Sequence, residues 1–374
     1  MNKTFRYMAL MMVTALMWCG CQSGGDEPGG NPTPLPNEKA IAFSGDLTEK
    51  SVSRAGDVGL ETYYKRFKVW GFKNDASSVH IVMNGYTVNW INNSANTTAS
   101  NSSNWEYVNQ QGLGGMEQSI KYWDFSAKAY RFFGVAGASE TNSSSGAYKP
   151  SEANPERYEV TYVADAYNES TTPYYSHLWF SDGDDYGKPV QLEFIKPLSR
   201  VRFIFTFEDP NDARETELTG KAFTPGDGGT IKMKGRVTVT YPLTGSSEKE
   251  SFAATAEAEG ITGFTQDYYA SVSEEGGIVV SPYLHADGAT SALSKIYTVL
   301  PTPSGQSNYT MTVSVNGDPK TTIVPAQYMT WLPGYLYTYI FKIHIDGSVT
   351  IDNVQSAFKP WIEHEKDDHT VYNW

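Results

Sequence analysis

Short runs of alternating apolar and polar residues dominate the chain, and this period of two predicts strands. Val201, Phe203, Phe205 and Phe207 fall on one face of the run 201–207. Val237, Val239 and Tyr241 do the same in 236–241, and Met311, Val313 and Val315 follow suit further on. The run 158–164 (YEVTYVA) alternates as well. Residues 67–72 and 130–135 are apolar on both faces, as in a central strand covered from both sides. The strongest run is 335–343 (YLYTYIFKI), and short strands are expected at 40–43 and 348–352. Only 102–119 reads weakly as a helix. Turn-rich segments at 92–104, 141–147, 225–230 and 274–277 separate the runs. Spaced short strands between turns predict an all-β protein built from sandwiches. A boundary is expected near Glu208 to Arg214, where Asp-Pro-Asn-Asp-Ala interrupts strong strands, giving domains 39–210 and 211–374.

The first residues follow a different pattern. Lys3 and Arg6 precede an apolar stretch from Tyr7 to Trp18, and Gly20 precedes Cys21. A basic start, about 12 apolar residues and a small-residue cleavage site make a secretory signal. The stretch is shorter than the roughly 20 residues that a bilayer span needs. A cysteine directly after Gly20 points to a lipoprotein signal (1–20), cut before Cys21 and acylated on its sulfur. Trp18 departs from the Leu, Val or Ile usual three positions earlier. Residues 21–38 then form a Gly- and Pro-rich tether with almost nothing to bury.

Composition narrows the function. Of 374 residues, 25 are Tyr, 33 Gly and 19 Pro, which suits strands and breakers. A net charge of −13 argues against nucleic acid and against charge-driven binding to an anionic membrane. Cys19 and Cys21 are the only cysteines, so the processed chain has no internal disulfide and relies on large cores.

Candidate chemistry is sparse. Asp182, Asp184, Gly187 and Glu193 fit positions of a calcium loop, but Tyr186 stands where Asp or Asn is needed. Glu193 also falls in the alternating run 190–194, so a solvated turn is expected. His364, Glu365, Asp367, Asp368 and His369 match no zinc spacing. His344 alternates with Ile343 and Ile345 and reads as an outward strand residue. There is no nucleophile elbow or phosphate loop. Acidic pairs for glycoside hydrolysis are defined only in three dimensions. The expectation is a non-enzyme without metal or cofactor. Trp90 and Trp105 flank the Asn-rich loop 92–104, either as strand core or as a sugar- or host-binding surface.

Several motifs in order carry a resemblance: AIAFSG at 40–45, Arg54-Ala55, FKVWGFK at 67–73, IKYWDFSAKAYRFFGVAG at 120–137, LSRVRFIF at 198–205, WLPGYLYTYIFKI at 331–343 and FKPW at 358–361. With the lipoprotein signal, they resemble the fimbrillin family, the Mfa-like pilus subunits of Bacteroidales type V pili. Asp26 and Glu27 resemble a surface-export signal of such lipoproteins, or serve only linker solubility. The resemblance implies two tandem transthyretin-like β-sandwich domains. It implies a structural or accessory subunit of a surface fimbrium, reached through the outer membrane and supporting adhesion. It implies lipidation at Cys21 and a second cut by an Arg-specific protease after Arg54, leaving Ala55 first. Lys50 and Arg66 fit less well; Arg66 is expected buried or paired in its strand. The implied donor strand is C-terminal, with Val349, Ile351, Val371 and Tyr372 as candidates, although 363–369 is charged.

The physical logic is independent of the family. Removing 40–47, with Ile41 and Phe43, opens a strand edge over an apolar groove. A neighbour's strand can fill it by β-augmentation, and a head-to-tail contact grows a filament. The expected partners are other pilus subunits, the maturation protease, the outer membrane through lipid, and a host glycan or protein. The alternative is a non-polymerising surface lipoprotein that binds a glycan or host ligand.

Overall fold

The computed structural model describes residues 38–46, 65–91, 98–137, 148–209, 216, 218–245, 249–265, 271–272, 278–279, 283–284, 290–293, 296–302 and 307–358. Cys21, Arg54, Ala55, Val371, Tyr372, the tether and the tail 364–369 lie outside them.

The chain is all-β. Its first strands are β1 (Phe43–Asp46), β2 (Arg66–Asn74), β3 (Val79–Trp90), β4 (Trp105–Glu106), β5 (Ala129–Ala136), β6 (Tyr148–Pro150) and β7 (Arg157–Asp165). Next come β8 (Tyr174–Ser176), β9 (Trp179–Ser181), β10 (Val190–Ile195), β11 (Ser199–Phe207), β12 (Leu218–Pro225), β13 (Lys234–Pro242) and β14 (Ser251–Ala256). Short strands β15 (Phe264–Thr265), β16 (Ser271–Val272), β17 (Ile278–Val279), β18 (Tyr283–Leu284), β19 (Thr290–Leu293) and β20 (Tyr297–Val299) follow. The last are β21 (Tyr309–Val315), β22 (Asp318–Val324), β23 (Tyr335–Ile343) and β24 (Val349–Phe358).

One sheet runs β1-β10-β8-β5-β2-β3-β4, with β9 also on β5. Its centre is buried on both faces, as the doubly apolar runs require. On one face, Phe67, Val69 and Phe132 pack with Phe43, Val88 and Tyr107. On the other, Trp70, Phe72, Phe133 and Val135 pack against Tyr158, Val160, Val239 and Tyr241. Those four residues belong to a second sheet, β14-β13-β7-β6. Strands from both sides of the expected 210/211 boundary share this second sheet, because β7 pairs β13 from Lys234↔Asp165 to Pro242↔Arg157. A third sheet, β18-β19-β11-β23-β24, faces a fourth, β15-β12-β21-β22. Their core includes Phe203, Phe205, Phe223, Met311, Trp331, Tyr339 and Phe341.

Three local readings are corrected. Residues 102–119 form no helix; they hold β4 and a 3-10 turn at Leu113–Gly115. Gly114 and Gly115 take φ of 73° and 79°, and such positive φ breaks a right-handed helix. The first strand starts at Phe43, while Ala40 makes only an isolated bridge to Tyr122. His344 lies beyond β23, in a turn that Gly347 (φ 76°) reverses, with Nδ1 3.2 Å from Glu208. Arg66 is exposed at the start of β2 but has a partner, so it is paired rather than buried.

Candidate functional site: the seat of the first strand

The segment 39–46 changes partners halfway. At its start, the Trp123 N–H donates to the Lys39 carbonyl at 2.9 Å and the Ile41 N–H to the Lys121 carbonyl at 2.8 Å. At Ala42 the chain crosses over, and its carbonyl accepts from the Val190 N–H at 2.8 Å. From there β1 runs parallel to β10, pairing Phe43↔Val190 to Asp46↔Glu193. The crossing is pinned by Tyr107. Its hydroxyl donates to the Ile41 carbonyl at 3.0 Å and accepts from the Lys121 N–H at 3.0 Å. Burial pushes this phenol far above its ordinary pKa, so it stays a donor.

The side chains anchor the segment more strongly than its short ladder. Ile41 and Phe43 are fully buried. Phe43 meets Phe132, Tyr107 and Phe67 edge-on, with centroids 5.6, 5.9 and 6.3 Å away. Such edge-to-face pairs add to the gain from burial alone. Burying two such residues contributes about 3–6 kcal/mol, an upper figure because an unfolded chain is already partly collapsed. Each backbone hydrogen bond adds only about 1 kcal/mol net. The two candidate residues Ile41 and Phe43 are thus brought together in one apolar seat at a sheet edge.

β1 and β4 are the two ends of their sheet, and they approach each other. Between them lies a cavity of about 390 Å³, lined by Ser44, Gly45, Trp90, Ser103, Asn104, Trp105 and Gln191. Trp90 stands opposite Trp105 across the β3–β4 ladder. Trp105 is core, 5.1 Å from Phe67. Trp90 is only half-buried and faces the cavity. Trp105 thus belongs to the core, and Trp90 packs against the edge of that core. Ser103 and Asn104 both take positive φ (51° and 71°), the pattern of a two-residue hairpin turn closed by Ser102 and Trp105. Below it, the buried Glu106 carboxylate accepts from the N–H groups of Thr98, Tyr107 and Val108 at 2.8–2.9 Å, and from the Ser100 hydroxyl. Glu106 fixes the loop, and sequence reasoning missed it. An acidic residue between Trp105 and Tyr107 in an apolar run is the signal that was there to find.

The remaining candidates fall elsewhere. Val349 and Ile351 lie in β24, a different sheet, opposite Ile343 and Phe341. Tyr186 turns inward, stacks on Trp123 at 5.3 Å and donates to the Ala127 carbonyl at 3.1 Å, which closes the acidic turn 182–187 structurally. Among the described residues, no three His, Cys, Asp or Glu side chains cluster to hold a metal. Glu208 and Asp346 share a surface depression with His344. The Ile345 N–H and then His344 hold Glu208 below its ordinary pKa, and the Ser348 hydroxyl and N–H do so for Asp346. Both stay ionised at neutral pH, so neither suits the general acid of a glycoside hydrolase.

No protein-family model matches the chain, and no curated protein matches it. Solved structures do match. A candidate cell adhesion protein from Bacteroides uniformis aligns over 88% of this chain and 100% of its own, at 14% identity and a TM-score of 0.35. A fimbrial assembly protein from Parabacteroides distasonis aligns over 84% and 99%, at 11% identity and 0.36. The fimbrial anchor protein Mfa2 from Porphyromonas gingivalis aligns over 86% and 98%, at 11% identity and 0.28.

Proposed function

We propose that this chain is a structural or accessory subunit of a bacterial surface pilus. It matures by lipidation at Cys21 and by a cut after Arg54, then polymerises when another subunit's strand takes the seat of β1. The observation that carries this reading is the edge position of β1, hydrogen-bonded in its sheet to β10, over a seat that fully buries Ile41 and Phe43 among aromatic side chains. A cut after Arg54 separates β1 from β2 covalently and leaves it held by non-covalent contacts alone. Its departure exposes both the backbone edge of β10 and the faces of Phe67, Tyr107 and Phe132. Such a template is costly in water and is covered best by a strand of similar pattern.

The donor lies after β24 in this account. β24 is already paired with β23 from Tyr335↔Phe358 to Ile343↔Val349, and releasing Val349 and Ile351 would break that ladder. The remaining candidates are Val371 and Tyr372, which lie outside the described residues. We read the two layer pairs as two sandwich domains, with β13 and β14 completing the first. The setting is the cell surface, and the partners are other subunits.

The test is polymerisation of the purified chain with and without an Arg-specific protease. The cut chain forms ladders on gels under mild detergent, a synthetic peptide of residues 39–46 blocks them, and Arg54→Ala forms none. Equal polymerisation of uncut Arg54→Ala overturns the proposal, as does a cut chain that stays monomeric.

A further inference from the structure

The cavity between β1 and β4 has an unusual lining for a surface protein of net charge −13. Among the described residues its walls are Ser44, Gly45, Trp90, Ser103, Asn104, Trp105 and Gln191, none of them ionisable. These described side chains supply no cation to pair with a phosphate and no carboxylate to hold a metal ion. They offer one half-buried indole, two amides and two hydroxyls. An aromatic face beside amide and hydroxyl groups matches a neutral ligand with an apolar C–H face and a rim of hydroxyls, which is a sugar ring. The volume, about 390 Å³, sits low in the range of small-molecule pockets and suits one or two rings.

We propose that this cavity is a saccharide site in which a pyranose ring stacks on Trp90, with Asn104, Gln191 and Ser103 meeting its hydroxyls. The hairpin turn at Ser103 and Asn104 is preset by its positive-φ backbone and by Glu106 beneath it, so little ordering is needed on binding. A second consequence rests on the strand-release reading above. Ser44 and Gly45 belong to β1, so the site exists only while the first strand is seated. A ligand that binds only the seated state stabilises it by the factor 1 + [L]/Kd. At ten times Kd, strand retention rises about elevenfold. Sugar binding and strand exchange thus oppose each other.

The test uses the chain uncut after Arg54, with its first strand in place, and lactose and N,N′-diacetylchitobiose as probes, followed by tryptophan fluorescence and saturation-transfer NMR up to ~50 mM. Saturable binding of at least one disaccharide is expected. Trp90→Ala weakens it about tenfold or more, Trp90→Phe recovers part of the loss, and Gln191→Ala weakens it without disturbing folding, since Gln191 is exposed. No binding by either disaccharide overturns the site, as does binding that survives both Trp90→Ala and Gln191→Ala. The coupling is read separately, on a chain cut between β1 and β2 from which the first strand has been displaced. Loss of binding there supports it, and undiminished binding overturns the coupling while leaving the site. Failure of polymerisation, by contrast, bears on the pilus reading alone.

Discussion

Phe43→Ala tests the seat most sharply. Phe43 is fully buried and touches three rings, so truncation removes an entire aromatic contact set rather than a rim contact. Phe-to-Ala changes in cores cost about 3–5 kcal/mol. At 1.36 kcal/mol per decade this is a change of roughly two to three and a half orders of magnitude. The assay places an engineered protease site between Asp46 and Arg66, cuts the folded chain, and follows release of a fluorescent first-strand fragment into excess unlabelled fragment. Affinity changes within one interface fall mostly on dissociation. Release from the Phe43→Ala chain is therefore expected at least about a hundredfold faster than from the unsubstituted chain. The cut body lacks Phe43's covalent link in both cases, so its melting curve after release is the same. A rate change below about tenfold refutes the reasoning, because the ladder to β10 and the Tyr107 hydrogen bond would then be holding the strand without the side chain.

Further predictions follow from other parts of the fold. Gly71 lies at an irregularity in β2, and a Cβ there would fall on the Phe132 ring; Gly71→Ala costs about 1–3 kcal/mol, read as a lower thermal midpoint by circular dichroism. Glu106→Gln turns an acceptor of several donors into a group with its own N–H, and lowers stability to urea by about 2–3 kcal/mol. Lys196 is buried and donates to the carbonyls of Glu169 (3.0 Å) and Thr172; burial pushes its ammonium from 10.5 down to about 7. The folded state releases this proton before the unfolded state does, so below pH 7 the penalty is full, and stability rises with pH between 7 and 10.5. The total is at most about 5 kcal/mol, and Lys196→Met flattens this rise in denaturant midpoints measured across that window.

Much of the fold was legible because periodicity survives where one face is buried. The alternation in β7, β13 and β21 matches their burial residue by residue. The doubly apolar run 130–135 became β5, buried throughout. In β11 the alternation marks one face, yet Ile204 on the other side is also buried, alongside β23, which pairs with it in parallel. β3 escaped notice: Asn84 and Gly85 interrupt its pattern, and Gly85 takes φ 64° at a register shift. The parallel pairings β1–β10 and β11–β23 join segments about 140 residues apart or more, and no local period encodes such partners. In the candidate site, Ile41 and Phe43 announced themselves as alternating apolar residues. Tyr107 and Glu106 did not, because their roles are hydrogen bonds to backbone distant in sequence or hidden in a loop.

The pilus reading requires β1 to be a removable strand. Mass spectrometry of the N-terminus carried by the protein on native cells tests it most directly. A removable β1 predicts a chain beginning at Ala55. An acylated Cys21 followed by an unbroken run through Arg54 would contradict it, since β1 would then remain joined to the body whose seat it fills.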